Sequence, residues 1–105
     1  MVIPKKFQLG GLTITVEKDS KDDLKTKEHV WLGEYDSILN RILISLSYND
    51  KTLTRKNVEV TFLHELWHAI WVTAGDNELA DNEKRADLFA QFMLQFFNTS
   101  KGQFR

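Results

Sequence analysis

From Thr54 to Ala74 the chain places apolar residues on almost every face of a helix. Val58, Phe62, Leu66 and Ala69 fall on one side, and Leu63, Trp67, Ile70 and Ala74 on another. A helix that is apolar nearly all round must be covered on most sides, so the rest of the chain has to wrap it. Thr54 is an N-cap residue type, and Gly75 suits the left-handed position that closes a helix. A second helical period runs from about Glu78 to Phe97, with a stripe at Leu79, Glu83, Ala86, Ala90, Met93 and Phe97. The tail from Asn98 to Arg105 is polar and should fray.

The first half reads differently. Leu12, Ile14 and Val16 alternate with Thr13, Thr15 and Glu17, the pattern of a half-buried strand. Gly10-Gly11 links this run to Phe7-Gln8-Leu9 and suits a tight hairpin. Residues 19–29 are polar and read as a surface loop. Residues 30–35 and 41–46 read as two more strands, joined by a hairpin loop over residues 36–40. The expected architecture is one α+β domain over residues 1–105. Its β half, residues 1–50, forms an antiparallel sheet of three or four strands. Its helical half, residues 54–98, supplies two antiparallel helices packed on that sheet.

Composition narrows the function classes. There are 105 residues, which suits one domain. The net charge of −1 offers no basic surface for nucleic acid. No run approaches the length of a membrane span, and the N-terminus lacks the apolar stretch of a signal peptide. A cytoplasmic protein is the expectation. With no cysteine, disulfides, thiolate metal sites and cysteine nucleophiles are excluded together. Any metal must be held by His, Asp, Glu or backbone oxygen.

The first helix carries His64-Glu65-Leu66-Trp67-His68, which is H-E-x-x-H. Residues four apart share a helix face, so both imidazoles can reach one ion. Zinc takes neutral imidazole at about 2.0–2.1 Å and prefers four ligands, so two histidines leave it short. Glu83 interrupts an otherwise apolar stripe on the second helix, where an ionised carboxylate is costly unless a cation neutralises it. His68 precedes Gly75 by about as many residues as Glu83 follows it. Two antiparallel helices turning there would bring the two level. Glu65 points elsewhere than the two histidines and can reach a water beside the ion as general base and acid. Asp87, one turn beyond Glu83, could accept the second ring N–H of His64. A solvated charge paired with Lys84 or Gln91 is the competing reading.

These stretches, with Asn82-Glu83-Lys84-Arg85-Ala86-Asp87, resemble the gluzincin zinc metallopeptidases, in which H-E-x-x-H on one helix is followed by N-E-x-x-x-D on the next. The run from Glu83 to Ala90 is similar to the glutamate helix of ImmA/IrrE-type metallopeptidases of phages and mobile elements. The chain length and element order look like the minigluzincins. The resemblance is specific over residues 61–90 and only architectural before that. It implies a zincin-like fold, a zinc ion on His64, His68 and Glu83, catalysis by Glu65, and Asp87 orienting His64. It implies a peptide or protein substrate, paired to an edge strand that residues 30–35 or 41–46 would supply. No segment after the second helix provides an oxyanion-stabilising His or Tyr, which leaves His29, Tyr35 and Tyr48 as candidates. Phe89, Phe92 and Phe96 lie off the main stripe, which leaves room for a homo-oligomer. A zinc-stabilised module that binds without turnover is the alternative function.

Overall fold

A computed structural model describes residues 1–19 and 32–104. The order of elements is β1 (Lys6–Leu9), β2 (Leu12–Asp19), β3 (Gly33–Asp36), β4 (Arg41–Ser45), β5 (Ser47–Tyr48), β6 (Lys51–Thr52), α1 (Arg55–Ala74), α2 (Asn77–Ala80) and α3 (Glu83–Thr99). The α+β class is as expected. His29, Val30 and Trp31 lie outside the described residues, as does the polar segment before them.

β1 and β2 form the expected hairpin. Gly10, at φ 56°, supplies the left-handed residue of its two-residue link. The β3–β4 hairpin turns on Asp36, whose Oδ1 accepts the backbone N–H groups of Ile38 and Leu39 at 2.9 and 3.1 Å. The sheet order is β1-β2-β4-β3. β2 and β4 pair in parallel, so the sheet is mixed and not antiparallel as expected. The reason is burial. Ile42, Leu43 and Ile44 are all buried, so β4 is the strand that needs a neighbour on each side. With β3 held on one flank by its tight turn, β2 fills the other. Alternation of apolar and polar residues encodes which face is buried, not the direction of the neighbour.

The β half also runs past residue 50. Asn49 and Asp50, at φ 51° and 62°, form the two-residue turn of a small β5–β6 hairpin. Positive φ at both central residues is the requirement of a type I′ turn, and Asn and Asp tolerate it best after glycine.

α1 has the expected limits. The Thr54 hydroxyl accepts the N–H of Asn57 at 3.2 Å. At the other end Gly75, at φ 76°, donates to Val72 O while Asp76 N–H reaches Trp71 O, so two terminal carbonyls are satisfied. The core lies between α1, the sheet and α3. It contains Ile14, Ile42, Ile44, Phe62, Leu63, Ala69, Ala90 and Leu94. Among the described residues no helix is long and apolar enough to cross a membrane.

The second helical segment is two helices. The Asp76 side chain accepts from Leu79 N at 3.0 Å and caps α2, and the Asn82 side chain accepts from Arg85 N at 2.9 Å and caps α3. The break between them resets the helix face. Ala86, Ala90 and Leu94 form the buried line of α3, while Phe97 is 47% exposed. Phe89 leaves the surface to pack against Trp67 and Trp71, with ring centroids 5.2 and 5.6 Å away. Phe92, Phe96 and Phe104 remain exposed.

Candidate metal centre

His64 and His68 project from the middle of α1, one turn apart. The side chain of Glu83, the first residue of α3, meets them. His64 Nε2 lies 2.7 Å from Glu83 Oε2, His68 Nε2 lies 3.0 Å from Glu83 Oε1, and the two Nε2 atoms are 3.1 Å apart. A tetrahedral ion with bonds of about 2.0–2.1 Å would separate its ligand atoms by about 3.3 Å, close to this spacing. Three acceptor-capable side chains converging this closely repel one another unless a proton or a cation lies among them. The donor set therefore fits a metal ion.

No family model, curated protein or solved structure matches this chain.

The ring orientation of His68 is fixed from behind. Its Nδ1 donates to the backbone carbonyl of Ala80 at 2.8 Å, which leaves Nε2 with its lone pair towards Glu83 and His64. Sequence reasoning missed Ala80 because it missed α2, the turn that carries this carbonyl to the site. Asp76 and Asn82, two capping residues six apart, were the available signal. Asp87 stands beside His64, but its Oδ1 is 3.8 Å from Nδ1, beyond hydrogen-bond range, and its Oδ2 accepts from Gln91 at 2.9 Å.

Glu83 does not face the core, as the stripe implied. Its side chain is 73% exposed, yet its carboxylate is turned onto both imidazoles. The position follows from the Asn82 cap, which makes Glu83 the first residue of α3, at the positive end of the helix dipole. Partial burial pushes its carboxyl up, but hydrogen bonds and proximity to His64 and His68 outweigh this and hold it below the usual carboxylate range. Replacing Asn82 by alanine should cost about 0.5–2 kcal/mol and loosen this turn. Urea denaturation and zinc titration of Asn82→Ala should show both a lower midpoint and a weaker metal affinity.

Glu65 sits apart from the cluster and is 8% exposed, buried against the start of β3. Burial raises its carboxyl above the ordinary value, more than the nearby His64 and His68 lower it, and Glu83 and Glu34 add to the rise. Glu65 shares a cleft of about 470 Å³ with His64, Glu83, Leu32, Gly33 and Thr61. Neither Tyr35 nor Tyr48 lines that cleft. Tyr35 packs against the core, where burial first and Asp36 second raise its phenol, and Tyr48 is exposed on β5. The side-chain N–H donors on the cleft wall are instead Lys56, Asn57 and Gln91.

One wall of the cleft is the edge of the sheet. Among the described residues β3 is an outer strand and β4 an inner one, so of the two candidate edge strands it is β3 that has no described neighbour on its other side. Ser45 N–H bonds to Leu32 O, and the register pairs Gly33 with Ile44. Hydrogen-bonded pairs alternate along an antiparallel ladder, so the peptide groups of Gly33 and Tyr35 face away from β4.

Proposed function

We propose that the protein is a zinc-dependent peptidase of zincin-like fold that hydrolyses a peptide laid along β3. The observation that carries this reading is the convergence of His64, His68 and Glu83, with His64 and Glu83 lining one cleft together with a buried carboxylate, Glu65. When bound, a zinc ion would supply Lewis acidity to the scissile carbonyl and make water acidic enough to attack at neutral pH. His64, His68 and Glu83 would hold it.

The remaining steps belong to the chain. The outward peptide groups of Gly33 and Tyr35 would hold an extended main chain by backbone hydrogen bonds, as an added strand. Glu65 would accept a proton from the attacking water and return it to the leaving amine. A buried carboxylate suits this work because its basicity is raised by the environment that excludes water. The substrate is then a peptide or protein segment able to lie extended.

A second reading has one observation in its favour. Neither Tyr35 nor Tyr48 lines the cleft among the described residues, and a cleft without a tyrosine donor for the oxyanion suits a zinc-stabilised binding module that does not turn over. Incubating the zinc-loaded protein with a diverse peptide library, followed by mass spectrometry, separates the two. New peptide termini that vanish with a chelator support the peptidase. An intact library beside fully zinc-loaded protein supports the module.

A further inference from the structure

Gly33 has no conformational reason to be glycine. Its φ is not positive, and glycine inside a strand costs backbone entropy without adding packing. A strand glycine instead marks a place where another element comes close. Here that element is α1. A Cβ at position 33 would stand 2.6 Å from Thr61 Cγ2, 3.2 Å from Glu65 Cγ and 3.3 Å from Glu65 Oε2. Ordinary carbon contacts are about 3.5–4.0 Å, so the first is an overlap and the other two are tight enough to shift the glutamate by a few tenths of an ångström.

We propose that Gly33 is a positioning residue. Its missing side chain leaves the slot that seats the Glu65 carboxylate against the outer edge of β3, where the substrate main chain would lie. The inference rests on the peptidase reading of Glu65 and assigns to one glycine the alignment of base and substrate. Gly33 and Glu65 line the same cleft, and Glu65 Oε2 lies 3.3 Å from where a Cβ of residue 33 would stand. A side chain at 33 would require Glu65 to shift by a few tenths of an ångström, with the three metal-binding residues left in place.

The two conflicts at position 33 can be separated. Thr61→Ser deletes Cγ2, the overlapping atom, and keeps the hydroxyl that donates to Asn57 O at 2.8 Å. Gly33→Ala/Thr61→Ser therefore removes the shortest of these contacts and leaves the two with Glu65. The readout is calorimetric affinity of the zinc-loaded protein for acetohydroxamate, a metal-binding group that also hydrogen-bonds to a carboxylate beside the ion. Glu65→Gln should weaken it about tenfold, the worth of a hydrogen bond to a charged group. Gly33→Ala/Thr61→Ser should weaken it about as much while keeping its zinc and the melting temperature of Thr61→Ser. Affinity equal to that of Thr61→Ser alone would overturn the proposal and leave the peptidase reading standing. Equal affinity of wild type and Glu65→Gln, or a wild type that takes up no zinc, would overturn the reading itself and the proposal with it. Should the double variant not fold, adding Glu65→Ala must restore folding. Continued unfolding in that triple variant would place the obstacle elsewhere than Glu65 and overturn the assignment.

Discussion

Glu65→Gln should keep its zinc and lose about two to four orders of magnitude in kcat/KM on any peptide the protein cleaves, the usual contribution of a general acid–base group. The change is nearly isosteric, so His64, His68 and Glu83 should stay where they are. It also removes an ionisable group that burial disfavours in its charged form. The ionised glutamate costs stability as pH rises from the ordinary carboxylate value towards its raised one, and glutamine does not. The variant should therefore melt no lower than wild type near neutral pH. Steady-state kinetics beside a thermal melt check both halves. Undiminished cleavage would remove Glu65 from the mechanism, and a collapse in melting temperature would show that the carboxylate is a structural part.

Stripping the metal should have the largest effect on stability. A ligand present at a thousand times its dissociation constant stabilises the folded state by about 4 kcal/mol. For a domain near a hundred residues that is a fall of about 15–30 °C in melting temperature on adding a chelator. The loss should concentrate where the chain depends on the site. Glu83 starts α3, and Ala80 O at the end of α2 holds His68, so the α2–α3 corner is tied to α1 through these residues. Hydrogen exchange should show that corner opening first. In Glu83→Ala the melting temperature should respond little to chelator.

Much of this was readable in the chain. Thr54 and Gly75 are capping residues that fix α1 by their own chemistry, and the helical repeat alone puts His64 and His68 on one face. Glu83 was readable as a ligand candidate, but its surroundings were not. The stripe from Leu79 through Glu83 to Ala86 keeps period across Asp81–Asn82, so a continuous helix and a broken one look alike. Only the capping role of Asn82 separates them. The same reset explains why Leu94 is buried and Phe97 is not. The strands were visible as strands, whereas the parallel pairing of β2 with β4 depends on which strand must be central. That is a property of the whole sheet. Gly33 was visible only as a glycine in a strand, and its reason lies in α1, about thirty residues away. That Tyr35 packs against the core and Tyr48 is exposed on β5, neither of them lining the cleft, was likewise a matter of packing.

The measurement that bears most directly on the proposed metal centre is zinc content per chain by elemental analysis, for wild type, Glu65→Gln and Glu83→Ala purified side by side. The expected result is about one zinc per chain in the first two and a large loss in the third, as a four-coordinate site stripped of one of three protein ligands requires. A wild type without bound metal, or a Glu83→Ala protein holding as much zinc as wild type, would contradict the site.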